Sequence, residues 1–445
     1  MTRAVGLAGT GRCPWLACHA NRMALCHLQP SVRGGTLPRS GPLTRRDASG
    51  ARRFIMKALI SGAGIAGLSS ALALERAGWQ VVMLEAAPHL RDGGYMVDFF
   101  GPGFEAAREL GLIERLREKS HAVEEILFVD EEGRRHAAID YSLARKAAGG
   151  QLFSLLRGDI ERVLHDALPE SVEIRFGTRL KAVEMAEAGV NAMLSDGGRE
   201  EADLLVGADG IHSQVRAQVF GPEERYLKFL GYHTAAYFLR SDTVRQAIGS
   251  DFKLLTAPDR LVGLYEVGDG LLASFFVHRA SGPTLPPDPR AALIEAFGDL
   301  GWVVPDALRA APASADIYYD VVAQVEMPTW HDGHSVLVGD AGYAVSLLAG
   351  QGASMALAGG RLLGEVLAEA TDIPEALARM EAQLRPAVLE KQKAGRRTAN
   401  WFVPPDRMHL IVRDAALNIV NSAGFSALLG RFFSFGSKGF SPTPH

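Results

Sequence analysis

Gly62-Ala63-Gly64-Ile65-Ala66-Gly67 is the run in this chain whose residue types and spacing most directly suit chemistry. The first glycine allows a tight turn, the second lets a pyrophosphate approach bare backbone, and the third lets a helix pack closely on a strand. A helix opening at such a loop turns free N–H groups and the positive end of its dipole toward phosphate. Glu85, 23 residues beyond Gly62, stands where an acid accepts hydrogen bonds from a ribose diol. Together they point to a dinucleotide whose adenosine keeps a free 2′-hydroxyl rather than a 2′-phosphate. Two later segments add to the pattern, Gly207-Ala208-Asp209-Gly210-Ile211-His212-Ser213-Gln214-Val215-Arg216 and Val338-Gly339-Asp340-Ala341-Gly342. The second runs on to Gly350-Gln351-Gly352, and each segment follows an apolar stretch.

The elements that must carry these loops can be read from hydrophobic periodicity. A short strand over 57–61, a helix over 65–77 ending at Gly78, and a strand over 80–84 form the strand–helix–strand unit of a parallel sheet. A helix is expected over 104–119, and a hairpin over 126–130 and 136–140. A strand follows over 151–156, then a helix over 160–167. Alternating runs from 172 to 206 predict a small antiparallel sheet that feeds a buried strand. Between 225 and 321 strand-like segments dominate. A buried strand over 335–338, a helix over 353–370, a long helix from 375 broken near Pro386, and an amphipathic helix over 408–429 complete the chain.

Composition sets outer limits. With 445 residues, 47% hydrophobic and 22% charged, the bulk is an ordinary globular chain. A net charge of −4 carries no nucleic-acid signature. Residues 1–55 differ from the rest: nine Arg, no Lys, Asp47 as the single acid, and all three cysteines, Cys13, Cys18 and Cys26. Such a basic leader reads as a disordered extension, a targeting leader, or the product of a start upstream of Met56. Its Cys and His spacing matches no usual zinc pattern. The cysteine-free body excludes a thiolate nucleophile or a Cys-held metal there. No run is long enough for an integral membrane span, since 336–360 contains Asp340, Gln351 and several glycines. The expected location is cytoplasmic.

A glycine fingerprint, a middle Asp-Gly loop and a late Gly-Asp loop in this order resemble the single-component FAD-dependent monooxygenases of the para-hydroxybenzoate hydroxylase-like superfamily. Within it the chain is most similar to the branch of aromatic-polyketide hydroxylases and tetracycline-inactivating monooxygenases, over residues 56–405. The resemblance implies an α/β fold: a discontinuous Rossmann-like FAD-binding domain (56–224 and 322–400), an inserted sheet-rich substrate domain (225–321) and a C-terminal helical segment (401–445). It implies FAD as cofactor, NADPH or NADH as transient reductant, and oxygenation of an electron-rich aromatic, phenolic or polyketide-like molecule by O2 through a flavin C4a-hydroperoxide. Gly62, Gly64, Ala66 and Gly67 would cradle the pyrophosphate, and Glu85 would bind the adenosine ribose. Asp209 and Gly210 would lie beside the pyrophosphate and the path of the nicotinamide. Asp340 would hold the ribityl chain or pyrophosphate, and Gly350, Gly352 and Ala353 would lie at the N1/O2 side of the ring. Arg157 matches an arginine that opens a helix near the flavin. Two departures stand out: Leu347 occupies the position of a usual proline near the reactive face, and Gly342 replaces a common alanine.

No acid–base residue is compelled by the sequence. Tyr232, His233, Tyr237, Tyr265 and His278 lie on expected strands of the second lobe, where each can equally be an ordinary strand residue. A hydrolase has no nucleophile-elbow sequence to support it. An amine-oxidase-like flavoprotein shares Leu84-Glu-Ala-Ala-Pro and Arg91-Asp-Gly-Gly but not the two later loops. Halogenases and prenyl-lipid reductases carry tryptophan motifs absent here. A non-catalytic flavin-binding scaffold remains a further reading; substrate-stimulated NAD(P)H oxidation separates it from an enzyme.

Overall fold

The computed structural model describes residues 44–46, 52–90, 95–121 and 123–421. The remainder of the leader, the Arg91–Gly94 run and the end of the chain with Phe425, Phe432, Phe433 and Phe435 lie outside the described residues. At the leader's end, Thr44–Arg46 pairs antiparallel with Arg52–Phe54, within the stretch expected to be disordered. Turn formers Asp47, Ser49 and Gly50 separate the two strands in sequence.

Two sheets organise the body. The first has the order His331–Asp332, Ser335–Leu337, Leu204–Gly207, Lys57–Ser61, Gln80–Glu85, Glu173–Phe176, and all its pairings are parallel except the first. Its inner strands read as uninterrupted apolar runs because both faces are covered. Helix Ile65–Arg76 is buried from Ile65 to Leu74, between this sheet and helix Gly352–Ala368. The expected helix over 104–119 is two helices, Pro102–Glu109 and Ile113–Glu118, separated at Gly111, whose φ is +67°. Residues 180–202 form the small antiparallel sheet, as the alternation predicts.

The second sheet has seven strands in the order Tyr318–Val325, Leu227–Leu239, Leu271–Arg279, Arg260–Gly268, Phe252–Ala257, Glu125–Val129, Arg135–Asp140. The hairpin expected near 126–140 is therefore part of this sheet, joined through a parallel pairing of Glu125–Val129 with Phe252–Ala257. The sheet thus extends past the 225–321 segment at both ends. One face, with Tyr237, Val262, Leu264, Leu272 and Phe276, packs on Phe297, Val304 and Leu308 of the covering helices. The opposite face, with Phe128, Tyr232, Leu261 and Val322, packs on Leu348, Ala399, Val403 and Leu417.

The long helix runs unbroken from Ile373 to Phe402 with Pro386 inside it, capped by Asp372, whose carboxylate accepts from Glu375 N at 2.8 Å. The expected break at Pro386 does not occur because the neighbouring turn is held from outside. Arg385 stacks on Trp330 at 4.6 Å and donates to the Met327 and Pro328 carbonyls at 3.1 and 3.0 Å. Helix Arg407–Asn421 follows. No helix among the described residues is long and apolar enough to cross a membrane.

The two sheets meet at a charged seam. His212 places Nε2 2.9 Å from Asp320 Oδ1, on the second sheet, and Nδ1 3.0 Å from Glu223 Oε1. The Asp320 hydrogen bond, ahead of the opposing effect of burial and with help from Glu223, raises its pKa to about 9. A pKa raised by folding contributes stability that is complete below the unfolded value of about 6.5 and lost as the pH climbs through the folded one. His212→Gln is therefore expected to lower stability toward urea at mildly acidic pH, with the gap from the wild type closing as the pH rises through about 9. Urea melts across that range check it; a pH-independent gap would show that the imidazolium charge contributes nothing.

Candidate active site

The glycine run turns out of Lys57–Ser61 at the carboxyl edge of the first sheet, where α/β sheets place ligands. Gly62 has φ +104°, and a Cβ there would sit 2.4 Å from the Ala208 carbonyl oxygen, so only glycine fits between two adjacent strand ends. Gly67 lies so close to the Gly62 carbonyl that any side chain would overlap it. At Gly64 the Cβ direction is open, with Glu161 Oε1 at 3.6 Å as the nearest atom. Glu85 is fixed beside this loop by Ala63 N at 2.8 Å and Ala87 N at 2.7 Å.

The middle loop is largely self-supporting. Asp209 accepts from Ser213 Oγ at 2.5 Å, Gln214 N at 2.8 Å and Val215 N at 3.1 Å, so its carboxylate caps the short helix Gln214–Val219. Burial raises its pKa against those hydrogen bonds. Gly210, at φ +82°, makes the turn. Arg216 is fully buried; it donates to Ile211 O at 2.6 Å, Ala341 O at 2.9 Å and Glu223 Oε2 at 3.0 Å. It thereby ties the middle loop to the late Gly-Asp loop. Sequence reasoning assigned Arg216 no role; its signal was an arginine between Val215 and Ala217 in the short helix that follows the loop.

The late loop brings Gly339 against Ala66 of the glycine run, and Gly352 near Asp340 Oδ1. Asp340 has its pKa raised by burial, with Arg157 pulling it down and Asp320 pushing it up. Arg157 opens helix Arg157–His165, and its Nε lies 3.3 Å from Glu161 Oε1. Burial disfavours its charge, but Tyr95, Glu161, Asp340 and Tyr318 outweigh that and raise its pKa. The side chain is nonetheless 41% accessible, and Tyr318, whose pKa burial drives well up, is 42% accessible. Arg157 and Tyr318 thus present open surface beside Tyr95 and Asp340, between the two sheets.

The sheet side of this cluster is an aromatic wall. Tyr95 lies 6.0 Å from Phe275 and 6.3 Å from Tyr318, ring centre to ring centre, and Tyr265 packs on Phe252 at 4.6 Å. Tyr265 also fixes the neighbouring strand by accepting from Met96 N at 2.6 Å. Beyond it, Asp98 holds Tyr141 and Ser154 through its carboxylate, and burial raises the pKa of both Asp98 and Tyr141. Of the five side chains singled out on the strands, Tyr265 alone belongs to this wall. Tyr232 faces the C-terminal helices and bonds Asn400 at 3.1 Å. Tyr237 donates to Ala307 O at 2.9 Å, and His278 packs edge-on against Phe297, which places both on the opposite face of the sheet. His233 meets His278 and Tyr319 on that same side.

The open position at Gly64 fits a pyrophosphate. Gln351, between Gly350 at φ +62° and the start of helix Gly352–Ala368, is 3% exposed, and neither side-chain amide atom has a partner. Such a buried, unsatisfied amide calls for a polar ligand, and the ring edge of FAD is one. No group of His, Cys, Asp and Glu able to hold a metal occurs among the described residues.

Residues 56–231 match the FAD binding domain family. An uncharacterised protein of Mycobacterium tuberculosis (strain H37Rv) is 31% identical over 351 residues, covering 75% of this chain and 91% of that one. The FAD-dependent monooxygenase asL6 of Sarocladium schorii is 31% identical, covering 76% of this chain and 86% of its own length. Among solved structures, the tetracycline destructase Tet(51) superposes with a TM-score of 0.75 at 26% identity, over 88% of this chain and all of that one. The chain belongs to the FAD-dependent monooxygenases of the para-hydroxybenzoate hydroxylase-like superfamily.

Proposed function

We propose that this monooxygenase consumes NADH or NADPH and hydroxylates an electron-rich small molecule of aromatic, phenolic or polyketide-like class. The observation that carries this reading is the aromatic wall of Tyr95, Phe252, Tyr265, Phe275 and Tyr318, whose Tyr95 and Tyr318 stand beside Arg157 and Asp340. A flat ring system finds stacking and edge contacts on such a wall. The name of the structurally similar tetracycline destructase points the same way.

Bound FAD would supply hydride acceptance from the nicotinamide and activation of O2, chemistry that no side chain here provides. The chain's own residues bind and enclose. Gly62, Gly64, Ala66 and Gly67 hold the pyrophosphate on backbone N–H groups at a helix start. Glu85, already oriented by Ala63 and Ala87, takes the adenosine ribose. Asp340 takes the ribityl chain or pyrophosphate, and Gly350, Gly352 and Ala353 with the Gln351 amide take the polar edge of the ring. Arg157 stays cationic beside them, where it favours negative charge on the ligand. Asp209 and Gly210 shape the rim on the nicotinamide side, Asp209 by capping. The aromatic wall excludes water from the reacting carbon. The segment 225–321, completed by the 125–140 hairpin, serves as the substrate side.

The deciding experiment is a screen of the FAD-loaded protein against phenols, quinolones and aromatic polyketides, following NADH and NADPH loss and looking by mass spectrometry for a product heavier by one oxygen. Substrate-stimulated oxidation with such a product is expected; a flat response across the panel with no oxygenated product would sink the proposal. Gly64→Val gives a second check. Its backbone, at φ −81°, accepts a side chain, yet that side chain would fill the cradle. FAD affinity, read by flavin fluorescence, should fall at least about tenfold, while the melting temperature of the FAD-free protein stays close to that of the wild type.

A further inference from the structure

We propose that Gln324 and Gln392 act as positioning residues, a buried amide clasp that holds the 344–350 loop in the shape FAD requires; this rests on the reading that the loop borders the ring of FAD. The loop connects the Gly-Asp turn to Gly350 and Gln351. Within it Ser346 adopts φ +87°, a backbone conformation costly for any residue but glycine. Such a conformation persists only where the surroundings impose it.

The surroundings do so through the long helix. Gln392, 3% exposed, donates from Nε2 to Val325 O at 2.8 Å and Ala344 O at 3.1 Å. Gln324, fully buried on the last turn of strand Tyr318–Val325, donates to Val345 O at 3.0 Å and to the Gln392 carbonyl at 2.8 Å. Arg396 settles which way the Gln324 amide points. A guanidinium can only donate, so its 2.6 Å contact fixes Oε1 outward and leaves Nε2 for the loop. The helix also closes on the loop at Gly395, where a Cβ would sit 2.8 Å from Val345 O. The carbonyls of Ala344 and Val345 are thus fixed directly before Ser346, and the strand that supplies Gln324 also supplies Tyr318 to the aromatic wall. Neither glutamine has a polar partner beyond this set that would explain an amide in a dry interior, where an unpaired one is costly.

The test is a double-mutant cycle on the full-length protein loaded with FAD, reading the FAD dissociation constant by fluorescence and the shape of the bound flavin's visible absorption band. Gln392→Leu removes the donor to Ala344 O of the loop and to Val325 O of the adjoining strand, and should weaken FAD binding about tenfold, the usual effect of losing buried hydrogen bonds. Ser346→Gly alone should change affinity by less than about twofold, because glycine takes φ +87° without cost. In the double variant glycine should restore at least about threefold of the lost affinity and return the absorption band toward that of the wild type. A loss of helix packing alone would not be rescued by a glycine on the loop. Should Gln392→Leu not fold, Gln392→Met, similar in length but without donors, runs the same cycle. Wild-type affinity in the single variant, or a double variant no better than it, would overturn the clasp. These results are independent of turnover: a flat cycle beside an oxygenating wild type sinks only the clasp, and a wild type that oxygenates nothing sinks only the proposed reaction.

Discussion

A single fully buried guanidinium, that of Arg216, holds the crevice together. Taking a charge out of water is expensive unless its hydrogen bonds are met inside. Arg216 meets that demand at Nη1 and Nη2 with a carbonyl from the middle loop, a carbonyl from the late loop and the Glu223 carboxylate, while its buried Nε has no partner among the described residues. Burial pulls its pKa down while Glu223 and Asp209 draw it back up, and it remains a cation. It adds a side-chain link between the middle loop and the Ala341 turn, beside the backbone bond from Val338 N to Gly207 O at 2.8 Å that joins the same strand ends. Gly339 lies against Ala66 of the glycine run just beyond that bond.

From this joint the labour divides by chemistry. The parallel sheet supplies backbone: glycines, helix starts and carboxylates that suit a phosphate-bearing cofactor. The mixed seven-stranded sheet supplies aromatic rings. Charges gather where the two meet, in Arg157, Asp340, Asp320 and His212, and burial and neighbouring charge shift the titration of Arg157, Asp340 and His212 there. The arrangement gives a polar cradle on one side and a dry wall on the other without any metal-binding cluster among the described residues.

The sequence was most legible where conformation is dictated locally. The glycine run, Glu85, the late loop and the apolar strands bearing them stand where spacing put them, because tight turns and parallel strands leave a strong mark on residue type. The middle loop was legible as a loop but less so in its parts: Asp209 spends its carboxylate on Ser213, Gln214 and Val215, which a one-dimensional reading cannot separate from ligand binding. Pro386 misled because propensity is overridden when partners such as Trp330 and Glu381 hold the adjoining turn. Which face of the second sheet looks toward Arg157 was beyond reach, since His233, Tyr237 and His278 alternate correctly for either side. The aromatic wall itself assembles Tyr95, Phe275 and Tyr318 from distant segments, and nothing local announces it.

The parallel pairing of Glu125–Val129 with Phe252–Ala257 has a consequence for how the chain acquires and could exchange its parts. The second sheet is stitched from both sides of the cofactor unit, so it cannot be completed during synthesis until Tyr318–Val325 has emerged. Its long-range pairings make folding slow and leave strand edges open in the interim. A graft that moved only 225–321 between relatives would leave the hairpin behind and expose the edge of Phe252–Ala257. Recombination that preserves the fold must carry the hairpin and the inserted strands together, as one inherited block with two non-contiguous pieces.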